Sequence, residues 1–274
     1  MDTWRIIPFA RGDAFENMAI DEAIFRMNQQ KDMPPTLRLY GWKKQAVSLG
    51  YFQDADREIQ RSYCRDRDID IVRRPTGGKA VLHGNDLTYS LVGRGDNPLF
   101  SPDIIETYRI ISECLLRGLA KSGVEARMVE EGRIGDASSD AFCFAASYKN
   151  ELLSDGKKIC GSAQVRARGV FLQHGSILID FDPAAVRAAI IANDTAMKAD
   201  TLNARVSSIR RSIGETIGMD TLCRNIASGF EEVLKVRLIE GRLSPEEERL
   251  KDRLLKNKYK TARWNAGRGT QSGH

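Results

Sequence analysis

The sequence contains no apolar run long enough to span a bilayer, and its N-terminal residues include early acids instead of the continuous apolar core of a signal peptide. We therefore expect a cytoplasmic protein with no membrane association. Cysteine and histidine are scarce: five cysteines are scattered without a CxxC pair, and three histidines lie far apart. This distribution predicts reduced thiols rather than a disulfide framework, and it gives no reason to expect a metal or another cofactor.

Phosphate-binding loops of the two common kinds are also missing, because neither GxGxxG nor GxxxxGK[ST] follows a predicted strand. The excess of positive charge is small: 42 basic residues are interleaved with 37 acidic ones, which leaves a net charge of +5. The basic residues are not clustered with the aromatic residues that nucleic-acid stacking platforms need. A non-catalytic module that binds nucleic acid or a carrier protein is therefore disfavoured.

The composition that is present is that of an ordinary globular protein, with 42% hydrophobic and 29% charged residues in 274 positions. Capping residues and helical spacing predict helices that begin at Asp13, extend over 104–122 and begin at Asp182. Two more helices are predicted over 220–236 and 244–259. The C-terminal part of the chain is thus expected to be helical.

Segments of β-like sequence predict the strands. They cover residues 36–41, 46–52, 68–73, 86–92 and 170–180, with two further strands after residue 148 that turn at Asp155-Gly156 and Arg168-Gly169. Because strands and helices do not alternate regularly, the pattern predicts an α/β protein of the α+β type, with a mixed or antiparallel sheet flanked by helices. We expect a main domain over 1–200, a helical appendage packed on it over 201–265 and a disordered tail over 266–274.

A glycine-containing turn follows the predicted strand that ends at two arginines. Arg73 and Arg74 precede Pro75-Thr76-Gly77-Gly78, which brings cations and unshielded main-chain N–H groups together. This combination suits a carboxylate, a phosphate or a thioester carbonyl. A basic hairpin turn explains the same residues equally well, since Gly-Gly pairs mark turns in general.

Small residues interrupt a later strand at Gly161, Ser162 and Ala163. They are poor strand formers, so their presence indicates that a ligand packs closely against the backbone. Lys158, just before them, could orient a carbonyl or transfer a proton after its pKa is lowered. Spacing alone favours the alternative, a solvated strand lysine. Cys143 lies between two phenylalanines, which is ordinarily the setting of an inert core cysteine.

Taken together, several segments resemble the biotin/lipoate cofactor-transferase family over nearly the whole chain. They are SLGYFQ from residue 48, RRPTGGKAVLH from residue 73, GKKICGSAQVR from residue 156, LQHGSILID from residue 172, and Lys258-Tyr259 through Trp264-Asn265. The resemblance implies the catalytic fold shared by class II aminoacyl-tRNA synthetases and biotin ligases. That fold agrees with the mixed sheet predicted from the order of elements.

Within this family the chain is most similar to the LipM-type octanoyltransferases. These enzymes carry a cysteine in a CF-x-A segment ahead of the GxKxxGSAQ motif, and this chain has Cys143 at that position. They also carry a basic residue where ligases usually have a third glycine, and this chain has Lys79 there. The chain is also too short for the full accessory domain of many ligases. The resemblance therefore implies that Cys143 is the nucleophile and that Lys158 assists it.

The resemblance also implies which residues bind substrate. They are Arg73, Arg74, Thr76, Gly77, Gly78, Gly161, Ser162, Ala163, Gln164, His174 and Gly175. His83 is interpreted as structural, because His83-Gly84-Asn85 departs from the His-Asp pair common in the family. Cys160 is interpreted as a packed strand residue, because its position in the motif is not that of the nucleophile.

The reaction implied by the resemblance is an acyl transfer in lipoate biosynthesis. Octanoyl-acyl carrier protein would donate its acyl group to Cys143, and a lysine of the glycine-cleavage H protein or of a lipoyl domain of a 2-oxoacid dehydrogenase would accept it from the thioester. The protein would act as a monomer. The alternative within the family is an ATP-dependent lipoate–protein ligase, in which the loop from Arg73 to Gly78 would embrace an acyl-adenylate.

Overall fold

A computed structural model describes residues 1–129, 150–191 and 199–266 of the chain. Its strands are β1 (Thr3–Gly12), β2 (Thr36–Trp42), β3 (Ala46–Leu49), β4 (Asp70–Arg73), β5 (Val81–His83), β6 (Asp86–Arg94), β7 (Arg127–Met128), β8 (Leu152–Ser154), β9 (Lys157–Ala167), β10 (Val170–Leu178) and β11 (Arg237–Glu240). Its helices are α1 (Ala14–Gln30), α2 (Ala55–Glu58), α3 (Arg61–Asp66), α4 (Ile104–Lys121), α5 (Pro183–Ala189), α6 (Ala199–Arg205), α7 (Ile209–Ile213), α8 (Met219–Leu234), α9 (Pro245–Leu254) and α10 (Ala262–Ala266). A π-helical turn over Leu255–Tyr259 follows α9. None of the helices within the described ranges is long and apolar enough to cross a lipid bilayer.

In these ranges eight strands form one sheet in the order β11-β1-β2-β6-β10-β9-β8-β7, and β4-β3-β5 form a second, smaller sheet. The pairs β11–β1 and β1–β2 are parallel, whereas the strands from β2 to β7 pair antiparallel. In the small sheet β3 pairs parallel with β4 and antiparallel with β5. The predicted mixed sheet flanked by helices is confirmed.

Two tight turns set the register of the central hairpins. Asp155-Gly156 joins β8 to β9 and Arg168-Gly169 joins β9 to β10, and all four residues have positive φ angles. Hairpin turns of type I′ need that conformation at both central positions, because it matches the twist of the strands. The second turn pairs Ala163 with His174, which brings two predicted site residues side by side.

Helices α4 and α8 cover one face of the large sheet, and α1 with α9 covers the other. The approach of α4 to α8 depends on Gly118 and Gly229. A Cβ on Gly118 would lie 2.6 Å from Cα of Ile226, and one on Gly229 would lie 2.3 Å from the Cys114 carbonyl oxygen. Each glycine therefore permits backbone contact that a side chain would block.

Residues 201–265 pack against the rest of the chain through both of these layers. Helix α8 lies on α4, α9 lies on α1, and β11 extends the large sheet by pairing with β1. The helical prediction for this segment did not include β11. This strand has four residues and pairs in parallel with the other end of the chain, so no local turn marks it. The predicted tail over 266–274 falls outside the described residues from residue 267 onward.

Candidate active site

A cavity opens between the large and the small sheet. It encloses about 380 Å³ of space when its open mouth is included. Its floor is the pair of neighbouring strands β9 and β10, at Gly161–Ala163 and His174–Ser176. Ser48, Val81 and His83 of the small sheet form the facing wall. A cleft lined by apolar side chains with a few polar groups is the usual form of a small-molecule site.

The structure brings most of the predicted glycine-motif residues to this cavity. Those that line it are Arg74, Gly161, Ser162, Ala163, His174 and Gly175. The side chains of Ser162 and Gln164 turn to the other face of the sheet, where Tyr89 donates to the Ser162 hydroxyl at 2.7 Å and Gln164 donates to Gln173 at 2.8 Å. Ser162 thus presents its backbone to the cavity, and Gln164 supports the sheet.

Gly175 is required by packing on that opposite face. A Cβ there would lie 2.4 Å from the Ser162 hydroxyl and 2.7 Å from the Tyr89 ring. The absence of a side chain lets Ser162 of β9 and Tyr89 of β6 meet across the single strand between them, β10. The glycine in the predicted motif therefore has a structural reason beside its place in the cavity floor.

Arg74 stabilises the turn that contains Gly77 and Gly78, which we call the glycine loop. Its guanidinium donates to the carbonyl oxygens of Ser48 at 3.0 Å, of Gly77 at 2.8 Å and of Lys79 at 2.8 Å. Gly78 adopts a φ of +90°, a conformation that glycine accepts without strain. Among residues 1–129, 150–191 and 199–266, no atom lies within 4 Å of the position that a Cβ on Gly77 would occupy.

Arg73 lies behind this loop, outside the cavity wall, and is fully buried. One of its terminal nitrogens donates to the carbonyl oxygens of Gly50, Tyr51 and Gln53 at 2.6 to 2.9 Å. Burial lowers the pKa of Arg73. The structure therefore places Arg73 in the support of the loop, whereas the sequence suggested a substrate contact.

His174 joins the cavity floor to a buried polar network. Its Nε2 lies 2.6 Å from the Thr76 hydroxyl, and its Nδ1 lies 3.3 Å from a carboxylate oxygen of Asp21. Arg38 and Tyr40 donate to the same carboxylate at 2.8 and 2.9 Å. Burial lowers the pKa of His174, and Asp21 opposes this only in part. Burial alone would raise the pKa of Asp21, but Arg38 and His174 hold it below its ordinary value.

This network predicts a loss of stability in mild acid. Unfolding exposes His174, which then takes a proton below its ordinary pKa of 6.5, whereas the folded state resists protonation. The contribution of His174 to the free energy of unfolding is therefore complete above pH 6.5 and declines below it, by at most about 1.4 kcal/mol per pH unit. Urea unfolding at about pH 7.5 and about pH 5.5 measures the decline, and His174→Gln should reduce it. An equal decline in both proteins would assign the effect to other groups.

His83 is held at both ring nitrogens. Its Nδ1 lies 2.8 Å from Asp86, its Nε2 lies 2.9 Å from the Ser48 hydroxyl, and its ring stacks on Trp42 with a centroid distance of 4.0 Å. Burial alone would raise the pKa of Asp86, but His83, Ser176 and a backbone N–H lower it. These contacts agree with the structural interpretation of His83, although the ring also lines the cavity.

Lys158 is fully buried, which excludes the solvated strand lysine that spacing alone favoured. Its ammonium lies 2.7 Å from a carboxylate oxygen of Glu151, which is itself buried. Nearby, Tyr108 donates to the Ser162 carbonyl oxygen at 2.7 Å, and burial together with the charge of Glu151 raises the pKa of this phenol. A charged pair kept inside the fold is costly, so this one is a candidate for function.

Cys143 lies outside the described residues. Four other cysteines are free thiols in the described ranges, namely Cys64, Cys114, Cys160 and Cys223. Cys160 belongs to the main hydrophobic core with 2% of its surface exposed. This agrees with its interpretation as a packed strand residue.

Several residues of the site had no signal in the sequence. Asp21, Asp86 and Glu151 are acids without a motif, and each meets its partner only in the fold. Asp86 stands three residues after His83, a spacing that suits a contact but does not predict one. The structure shows that each predicted cation or histidine has a fixed acceptor.

Comparison with known proteins gives consistent matches. The model of the lipoyl protein ligase A/B catalytic domain matches residues 13–231. The octanoyltransferase LipM of Kyrpidia tusciae is 41% identical over 272 residues, which cover 97% of this chain and 99% of the relative. The octanoyltransferase LipM of Clostridioides difficile is also 41% identical over 272 residues, covering 98% of this chain and 100% of the relative.

A solved structure shares the architecture over its full length. It is the bipartite lipoate protein ligase of Thermoplasma acidophilum, described with its E2 lipoyl domain. The TM-score is 0.82 at 27% sequence identity, and the match covers 100% of this chain and 99% of that one. Both sheets and the helical layers described above are therefore part of a known arrangement.

Proposed function

The chain belongs to the lipoyl protein ligase A/B catalytic domain family, and we infer from this membership and from its curated relatives that it is an octanoyltransferase of protein lipoylation. The family resemblance and the enzyme class predicted from the sequence are confirmed. An acyltransferase needs a site that holds an acyl chain and presents its carbonyl to a nucleophile. The cavity with Gly161–Ala163 in its floor is the observation that supports the proposed location of this site.

The proposed reaction proceeds in two transfers. The Cys143 thiolate attacks the thioester carbonyl of octanoyl-acyl carrier protein, and the donor's thiol leaves with a proton. The amine of an acceptor lysine then attacks the new thioester, forms an amide, loses a proton and releases the Cys143 thiol. The proposed acceptors are lipoyl domains of 2-oxoacid dehydrogenases and the glycine-cleavage H protein.

Lys158 is proposed to assist both transfers. It stands three residues before Gly161 on β9, about 10 Å along the strand from the cavity floor. A buried ammonium beside a thiol favours the thiolate, and a neutral amine can take the proton of the attacking lysine. Glu151 supplies a fixed carboxylate at 2.7 Å that orients the Lys158 ammonium.

Backbone N–H groups are proposed to stabilise the oxyanion of each tetrahedral intermediate. The turn at Gly77 and Gly78 supports this proposal because no described residue would crowd a Cβ on Gly77, and Arg74 holds the Gly77 carbonyl oxygen at 2.8 Å. Fixed donors aimed at developing charge lower the barrier without reorganisation. The floor at Gly161 is the second place where a carbonyl can approach the main chain.

An ATP-dependent lipoate–protein ligase is the second candidate, and the likeness to the Thermoplasma acidophilum ligase favours it. The two reactions need different substrates. Octanoyl-acyl carrier protein without ATP should octanoylate a lipoyl domain if the chain is a transferase. Free octanoate with ATP and magnesium should do so if it is a ligase, and mass spectrometry of the lipoyl domain distinguishes the two.

The cavity floor is proposed to read the length of the acyl chain, which Ala163→Leu tests. Octanoyl has four more methylenes than butyryl. Each is worth about 0.8 kcal/mol when buried, so the native enzyme should favour octanoyl by about two-hundredfold. A leucine at Ala163, or Gly161→Val, should fill the groove and reject octanoyl far more than butyryl donors.

Ala167→Leu is the matched control, since it makes the same change at an exposed position of the same strand. Rates of octanoylation with butyryl, octanoyl and decanoyl carrier proteins give the preference of each folded variant. An unchanged preference in Ala163→Leu would remove this segment from the walls of the acyl site.

A further inference from the structure

The C-terminal segment closes onto the base of the glycine loop. Trp264 donates its indole N–H to the Arg73 carbonyl oxygen at 2.9 Å. The Asn265 side-chain oxygen accepts the Arg73 backbone N–H at 2.9 Å, and the Trp264 carbonyl oxygen accepts from the Arg73 side chain at 3.0 Å. Arg73 is therefore held at its N–H, its C=O and its guanidinium by two residues that lie 191 and 192 positions away.

Arg73 links these C-terminal contacts to the glycine loop beside the cavity. Its guanidinium holds the carbonyl oxygens of the turn that begins at Gly50. Gly50 lies against the glycine loop so closely that a Cβ there would fall 1.8 Å from the Gly78 carbonyl oxygen. Tyr51 donates its backbone N–H to the Thr76 carbonyl oxygen at 2.9 Å. A shift of Arg73 must therefore move the loop that carries Arg74 and Gly78.

The segment is itself anchored to α1. Lys258 lies 2.7 Å from a Glu22 carboxylate oxygen, and the buried Tyr259 hydroxyl donates to the same carboxylate. The Lys258 ammonium also lies 3.8 Å from the ring centroid of Trp264. Asn265 donates to the Tyr259 carbonyl oxygen at 2.6 Å. The segment has few ways to move independently of α1, so it can serve as a rigid support.

We propose that residues 258–265 form a C-terminal clasp, a positioning element that holds the glycine loop in the geometry needed for acyl transfer. The clasp lies beyond residues 13–231, the part of the chain that the family model matches. Trp264 and Asn265 are positioning residues, because they act through Arg73 and do not line the cavity. Small displacements of a positioned group are enough to slow an acyl transfer strongly.

The test compares Trp264→Phe and Asn265→Ala with Arg263→Ala. Trp264→Phe keeps an aromatic ring but removes the donor to Arg73, Asn265→Ala removes the acceptor, and Arg263 is an exposed neighbour. Hydrogen exchange of the backbone amides in residues 73–79 should become about tenfold faster in the first two variants, with exchange in α4 and α8 unchanged.

The rate of octanoylation should fall by about tenfold in the same two variants and stay unchanged in Arg263→Ala. Unchanged exchange in residues 73–79, or equally faster exchange throughout the protein, would overturn the clasp. The activity measurement rests on the proposed octanoyl transfer, whereas the exchange measurement does not. An inactive native enzyme with the expected exchange pattern would therefore refute the proposed function and leave the clasp in place.

Discussion

Cys143→Ala is expected to abolish transfer from octanoyl-acyl carrier protein, with a loss of at least about a thousandfold, because no acyl-enzyme can form without the thiol. The substitution removes a single sulfur atom, so the variant should remain folded. Thermal unfolding of the variant and of the native protein checks this before rates are compared. Octanoylation of a lipoyl domain, followed by mass spectrometry, gives the rates.

Cys160→Ala is the matched control for the nucleophile. Cys160 stands inside the glycine-rich motif on β9, but its side chain is packed in the main core. Cys160→Ala should lower the free energy of unfolding and change the transfer rate of the folded enzyme little. Substantial activity in Cys143→Ala together with an inactive Cys160→Ala would reverse the assignment.

Lys158→Ala should have the next largest effect. Loss of a group that promotes the thiolate and moves a proton lowers such rates by about a hundredfold or more, while slow acylation of Cys143 continues because the thiol remains. Removing one partner of a buried pair also costs about 3–5 kcal/mol of stability. The stability loss arises because the buried Glu151 carboxyl loses its ion-pair partner at 2.7 Å.

A double variant separates the loss of transfer rate from the loss of stability. Lys158→Met combined with Glu151→Gln removes both charges and keeps similar side-chain volumes, so much of the stability should return while the rate stays low. Urea unfolding and octanoylation rates are measured for the single and the double variants. A normal rate in Lys158→Ala would remove this lysine from the mechanism.

Local signals in the sequence were sufficient for many elements of the fold. Asp13 caps α1 by accepting the Glu16 N–H at 2.7 Å, and Ser244 forms a capping box with Glu247 at the start of the helix predicted from residue 244. Such caps depend on residues close in the chain, which is why they can be read from spacing. The predicted strand over 46–52 instead ends at Leu49, because a turn between Gly50 and Gln53 follows it.

Pairing between distant parts of the chain could not be read in this way. β1 and β11 were not predicted, and each is defined by parallel pairing with residues far away in sequence. Likewise, the motif around Arg73 does not show which groups its side chain contacts. The acceptors of Arg73 lie in the turn after β3 and at Trp264, and only the folded chain brings them together.

The acyl-enzyme itself provides the most direct test of the proposed reaction. The native protein is incubated with octanoyl-acyl carrier protein in the absence of ATP and of any acceptor, and its intact mass is measured. The mechanism predicts one octanoyl adduct, located on Cys143 by peptide mapping, that disappears when a lipoyl domain is added and is absent from Cys143→Ala. A native enzyme that forms no adduct, and that octanoylates the lipoyl domain only from free octanoate with ATP, would contradict it.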